Sequence, residues 1–167
     1  MSYWDSSSLA KLYLKEPDSD LYLALAKTAI PVRTSPLGQF EVTLAIRRHE
    51  TEGKLDRQSA DALVDELLFD IGEDTVELIA TDFDIHAEFQ HVVQTCLQRP
   101  QPISIRTLDA LHLAAALSAG ETEFVSNDNR QRAAAVALGL TVLPGSENHR
   151  DRSALGLRSL KALAYRL

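Results

Sequence analysis

Apolar positions recur along this chain in short runs and in helical spacings, and a Pro, a Gly or a capping residue cuts each stretch from the next. Residues 2–5, Ser-Tyr-Trp-Asp, read as a short strand. The run Ser6-Ser7-Ser8 then caps a helix whose apolar face is Leu9, Leu12 and Tyr13, and Pro17 interrupts it. A second helix starts near Asp18 and carries Leu21 and Leu25. Pro31 to Thr34 is strand-like. Ser35-Pro36 opens a helix with Pro in its first turn, running to about Gly53. Asp56 starts a long acidic helix that ends near Gly72, and Val76 to Ile79 returns to strand character. Thr81 or Asp82 caps a helix running towards Arg99, where Pro100 and Pro102 break the chain. Thr107 to Ala119 is a helix apolar almost all round, closed by Gly120. Phe124-Val125-Ser126 is another short strand. A helix through Ala133 to Leu138, stopped by Gly139, leads to the last strand, Thr141-Val142-Leu143.

Short strands that alternate with helices predict an α/β fold with a parallel sheet. In such sheets, sites gather at the carboxyl ends of the strands. Asp5 and Asp128 each fall just past a strand end, so they are expected to meet at one edge. A length of 167 residues fits one domain with a substantial core.

Four acids stand where the pattern turns or buries itself. Asp5 ends the first apolar run, and Asp128 follows Phe-Val-Ser-Asn. Glu41 shares a helix face with Leu37, Leu44 and Ala45; Asp109 shares one with His112, Leu113 and Ala116. Each has a plain structural reading. Asp5 and Asp128 would be helix caps, Asp109 a first-turn acid favoured by the helix dipole, and Glu41 the partner of Arg48. Taken together they read differently. Carboxylates facing one cavity repel one another and are driven to protonate. Mg²⁺ or Mn²⁺ removes that penalty and prefers hard oxygen ligands. A metal-polarised water attacking a phosphodiester is the chemistry such a site supports. Ser7 and Ser126, two residues after Asp5 and two before Asp128, would orient carboxylates or waters. Arg106 would meet a phosphate, or pair with a neighbouring acid. His112 reads as a packed helix residue with one satisfied ring nitrogen.

The net charge of −7 argues against a broadly basic nucleic-acid surface, so metal ions or a local patch must offset the acidic field. A local patch exists. Residues 146–167 hold Arg150, Arg152, Arg158, Lys161 and Arg166 against Glu147 and Asp151, a charge of +3 that leaves −10 on the residues before them. This tail is expected to form an amphipathic basic helix, with covering the site, binding a nucleic-acid substrate and contacting a partner as its open roles; unchanged substrate affinity and salt dependence on its deletion would remove the binding role. The single cysteine, Cys96, allows no internal disulfide, and no CxxC, HExxH or zinc spacing is present. The longest apolar run, around Leu111 to Leu117, is too short to span a membrane, and no signal segment is evident, so a cytoplasmic location is expected.

In order along the chain, Tyr-Trp-Asp-Ser-Ser-Ser-Leu-Ala-Lys-Leu-Tyr, Glu41 near its helix start, Arg-Thr-Leu-Asp-Ala-Leu-His-Leu-Ala-Ala-Ala and Phe-Val-Ser-Asn-Asp-Asn-Arg resemble a PIN domain. The likeness is to the VapC-type toxins of prokaryotic toxin–antitoxin pairs. It covers residues 2 to about 144, so residues 1–144 are expected to be the PIN domain and 145–167 a basic C-terminal extension. The resemblance implies a three-layer α/β/α sandwich with a central parallel sheet and an Mg²⁺- or Mn²⁺-dependent endoribonuclease. The family's catalytic acids fall on Asp5, Glu41, Asp109 and Asp128, with Asp5, Asp109 and Asp128 as metal ligands, and its small hydroxyl residues on Ser7 and Ser126. An RNA substrate, a homodimer and an antitoxin that blocks the acidic site are implied as well.

The principal alternative is a PIN-like module that binds RNA or protein without cleaving. An aspartyl phosphatase would want a second Asp where Ser7 stands. A receiver domain would want paired early acids and a mid-chain strand-end Asp. A DNA-binding regulator lacks both a basic charge and a helix-turn-helix pattern.

Overall fold

The protein's structure, a computed structural model, describes residues 1–81 and 85–145. Asp82 as a helix cap and the basic helix expected in the tail lie outside the described residues. The chain runs β1 (Ser2–Trp4), α1 (Ser6–Ala10), α2 (Ser19–Ala26), β2 (Val32–Thr34), α3 (Pro36–Thr51), α4 (Arg57–Gly72), β3 (Val76–Leu78), α5 (Ile85–Leu97), α6 (Thr107–Ser118), β4 (Glu123–Val125), α7 (Asn129–Ala137) and β5 (Thr141–Leu143). Among the described residues no helix is long and apolar enough to cross a membrane.

All five strands are parallel, in the order β3-β2-β1-β4-β5. Trp4 lies opposite Val125, and Thr34 opposite Leu78. Side chains alternate between the two faces, as strand geometry requires. Tyr3, Phe124 and Val142 join the core under α5, α6 and α7, with Val92, Cys96, Leu113 and Ala134. Trp4, Val125 and Leu143 join the core under α1 to α4, with Leu9, Tyr22, Ile46 and Leu67. Both faces of β1, β4 and β5 are covered, which is why each of these strands carries apolar side chains on both sides, whereas β2 and β3 pair Arg33 with Glu77 on one face. The expected three-layer α/β/α architecture is what these two cores build.

Two local readings change. Asp5, not the serine run, is the N-cap of α1: it keeps extended backbone while its carboxylate accepts from Ser8 N–H at 2.8 Å. The serines fall inside the first helical turns. The helix also stops at Ala10, well before Pro17. Leu12, Tyr13 and Leu14 are buried in the turn that follows, where Tyr13 donates to Asp70 of α4 at 2.9 Å.

Strand order reverses beside β1. The chain builds outward to β2 and β3, then returns on the other side with β4 and β5. In parallel sheets such a reversal opens a crevice at the carboxyl ends of the central strands. Asp5 and Asp128 follow the two strands that flank it.

Candidate active site

The Asp5 backbone continues the β1–β4 ladder, donating from its N–H to Val125 O at 3.0 Å. Its side chain is thereby aimed across the strand ends. Ser126 Oγ donates to Asp5 Oδ2 at 2.7 Å, and Ser7 Oγ sits 2.9 Å from both carboxylate oxygens. Asp5 is 1% exposed, and no lysine or arginine ion-pairs with it among the described residues. Burial raises its pKa; the Ser126 hydroxyl, the charge of His112 and the donors at Ser8 and Ser7 only partly offset this.

Ser126 ties Asp5 to Asp128. The Asp128 N–H donates to Ser126 Oγ at 3.1 Å, and the Gln131 amide oxygen lies 3.2 Å from the same hydroxyl. Asp128 is the N-cap of α7, and its Oδ1 accepts from Arg130 N–H at 2.7 Å and Gln131 N–H at 3.2 Å. Partial burial pushes its pKa up, but these amides and the Arg130 charge outweigh that and hold it below the usual carboxylate range. Ser7 closes the set by accepting from Asn127 N–H at 3.3 Å. Asp5, Ser7, Ser126 and Asp128 therefore form one bonded cluster, although Asp5 and Asp128 each also fill the capping role that the sequence leaves open.

Glu41 reaches this edge from α3. Its partner is His112 of α6, whose Nε2 lies 2.8 Å from Glu41 Oε2. The plain reading of a pairing with Arg48 gives way to this bond, and Arg48 remains a nearby charge only. The His112 bond holds the Glu41 carboxyl below its usual range, against partial burial and with help from the Ser6 hydroxyl. The other ring nitrogen, Nδ1, lies 2.7 Å from Tyr3 Oη, so His112 has both nitrogens satisfied, not one. The sequence pattern places His112 on the Asp109 face but gives no sign of its partners, which are strand and helix residues far away in the chain.

Asp109 is half-buried in the first turn of α6 and accepts from the Arg106 N–H at 3.4 Å, a bond that closes its own helix start. It stands one turn before His112. Arg106 is exposed, and its bond to Asp109 runs through the backbone rather than the guanidinium. The structure thus gathers Asp5, Asp128, Ser7 and Ser126 by direct bonds, brings Glu41 to the same edge, and gives Asp109 a capping bond.

A cleft of about 310 Å³ opens at this edge, lined in part by Ser6, Ser7, Lys11, Glu41, Arg48 and Asn127. Among the described residues, no three His, Cys, Asp or Glu side chains converge to cage an ion. A magnesium-sized ion needs no such cage, since it keeps several waters and is held by one or two carboxylates. The donor set here fits that style of binding. Among the described residues, Asp5 is a buried carboxylate held only by hydroxyl and amide donors, and Asp128 offers a second hard oxygen on the neighbouring strand end.

Comparison with known proteins identifies the family of the chain. The PIN domain model matches residues 2–137. Ribonuclease VapC35 of Mycobacterium tuberculosis (strain ATCC 25618 / H37Rv) is 35% identical over 155 residues, which is 87% of this chain and 98% of that protein. Ribonuclease VapC46 of the same strain is 29% identical over 151 residues, 86% of this chain and 97% of that protein. The chain belongs to the PIN domain family, and these relatives within it are of the VapC type.

Proposed function

We propose that this chain is an Mg²⁺- or Mn²⁺-dependent endoribonuclease acting as the toxin of a toxin–antitoxin pair. The observation that carries the reading is Asp5: a carboxylate buried where the sheet order reverses, with no lysine or arginine ion-paired to it among the described residues, and bonded through Ser126 to the strand-end acid Asp128. Relatives named ribonucleases, matched over nearly their whole length, support RNA as the substrate.

Asp5 and Asp128, with Asp109 one helix start away, would hold the cation. The chemistry such an ion supplies is water activation and neutralisation of phosphodiester charge. The chain's own residues do the rest. Ser7 and Ser126 fix the Asp5 carboxylate in one orientation, as outer-shell hydroxyls do. Asp128 is kept ionised by the amides at the start of α7. Glu41, kept ionised by His112, stands at the cleft wall, placed to accept a proton from the attacking water. Arg106, exposed at the start of α6, is available to a substrate phosphate.

Residues 145–167, a basic extension past the matched region, add RNA affinity in this reading. The remaining assignments are a homodimer in the cytoplasm and an antitoxin that closes the acidic edge. The test is RNA cleavage by the purified chain with and without Mg²⁺ or Mn²⁺, beside Asp5→Asn and Asp109→Asn variants shown to be folded. Cleavage that needs the metal and vanishes in both variants supports the nuclease. A folded wild type that binds RNA without cleaving it, with either metal, would establish the binding-module alternative instead.

A further inference from the structure

A buried string of polar groups crosses the carboxyl edge of the sheet and returns to the helix it started from. It begins at Ser35, the N-cap of α3, whose Oγ lies 2.8 Å from Tyr3 Oη on β1. Tyr3 Oη lies 2.7 Å from His112 Nδ1 on α6, and His112 Nε2 lies 2.8 Å from Glu41 Oε2, back on α3. Tyr3 and His112 are 0% and 1% exposed. The Tyr3 ring is fixed in turn, stacked on Phe124 with centroids 5.6 Å apart and meeting the His112 ring edge-on at 5.8 Å. A carboxylate can only accept, so His112 donates to Glu41 from Nε2. With both nitrogens engaged, the imidazole cannot rotate or flip without losing two bonds. Glu41 differs in kind: it is a long side chain, about a quarter exposed, on the wall of the cleft.

We propose that His112 is a positioning residue, which holds the Glu41 carboxylate at one place on the cleft wall and takes its own rigidity from Tyr3 and Ser35. The inference rests on the nuclease reading of the site. It assigns His112 an effect on turnover that passes wholly through Glu41. A core histidine kept only for packing would satisfy one nitrogen locally. This one spans the two helix layers, across sequence separations of 109 and 71 residues, to reach Tyr3 and Glu41.

Two substitutions separate the halves of the ring. The amide nitrogen of Gln can stand where Nε2 stands and still donate to Glu41, whereas that of Asn falls near Nδ1 and reaches only Tyr3. The experiment measures kcat and KM for RNA cleavage in Mg²⁺ for wild type, Glu41→Gln, His112→Gln, His112→Asn and the Glu41→Gln/His112→Asn double variant, with thermal melts of each. Expected is a loss of about tenfold or more in kcat for His112→Asn with KM within about twofold, a smaller loss for His112→Gln, and a double variant no worse than Glu41→Gln alone. If the two lesions multiply, or if the Gln and Asn variants fall together in step with their melting temperatures, the proposal is wrong. A second reading does not depend on cleavage: the carbon-13 carboxyl signal of Glu41 should be preserved in His112→Gln and in Asp5→Asn, and displaced or broadened in His112→Asn. An unchanged signal in His112→Asn overturns the positioning role even if the enzyme is active. A protein that fails to cleave RNA yet shows the displaced signal overturns the nuclease reading alone.

Discussion

Two carboxylates are buried at opposite edges of the same sheet, and they are treated in opposite ways. Glu121, at the amino-terminal edge before β4, is 4% exposed and meets the guanidinium of Arg33, with the chain's N-terminal ammonium 4.0 Å away. Asp5, at the carboxyl edge, is 1% exposed and, among the described residues, meets only hydroxyls and an amide. Burial pushes both pKa values up; Arg33 pulls Glu121 back by its charge, whereas hydrogen bonds do most of that work for Asp5. In the nuclease reading proposed above, the difference separates an acid kept for the fold from one kept for a cation. Glu121 is given a cation by the fold. Asp5 is oriented by hydroxyl and amide donors, with no lysine or arginine ion-paired to it among the described residues. Lys11 follows the structural rule as well: it is 3% exposed and paired with Glu16 and, at 2.7 Å, Asp18.

The contrast can be broken most forcefully at Asp5. Asp5→Asn should reduce metal-dependent RNA cleavage on the order of a thousandfold, since the group removed acts where charge develops. It should also make the metal-free protein more stable near neutral pH. Because the folded pKa of Asp5 is raised, the wild type has its full stability below the unfolded pKa and loses some as pH rises through the folded value. The advantage of Asn should therefore fade as the pH is lowered, which melts across an acid-to-neutral series would show.

The opposite edge predicts the reverse pairing of effects. Arg33→Ala leaves Glu121 buried without its guanidinium and also removes the Arg33–Glu77 bond at 3.0 Å. A loss of about 3–5 kcal/mol in denaturant unfolding is expected. The cleavage rate of the molecules that remain folded should stay within about twofold.

Ser126→Ala sharpens the comparison from inside the site. It removes the 2.7 Å donor to Asp5 and the acceptor for the Asp128 N–H. Outer-shell losses of this kind cost roughly ten- to a hundredfold in activity. Stability should fall by about 1–3 kcal/mol, because the buried Asp5 carboxylate loses a donor and the Asp128 N–H loses an acceptor. The smallest effect is expected from deleting residues 146–167. RNA affinity should fall modestly, and the salt dependence of log affinity should become shallower by about 0.7 for each phosphate that the tail neutralises in the full chain. Equal slopes with and without the tail would remove it from the interface.

Much of this arrangement can be read along the chain. Prolines, glycines and capping residues mark most of the element boundaries, because backbone groups at helix ends must find partners locally. The alternation of strands and helices fixes a parallel sheet, and that places Asp5 and Asp128 on one edge. Asp5 itself is harder to read. The serine run and Asp5 itself both read as the cap, and the bond from Ser8 N–H to the Asp5 carboxylate shows which does that work. Long-range bonds leave no local trace. Nothing in Asp-Ala-Leu-His announces that His112 will meet Tyr3 and Glu41, and nothing near Glu121 announces Arg33. Helical spacing places Glu41 beside Arg48, but it carries no information about which neighbour the sheet will offer.

Melting curves of wild type and Asp5→Asn with and without Mg²⁺ test most directly whether Asp5 is a buried charge that a cation completes. Without the ion, Asp5→Asn should melt above wild type. With Mg²⁺ at a hundred times its dissociation constant, wild type should gain about 2.7 kcal/mol while Asp5→Asn gains almost nothing. Equal shifts in the two proteins, or none in the wild type with either Mg²⁺ or Mn²⁺, would contradict completion by a cation.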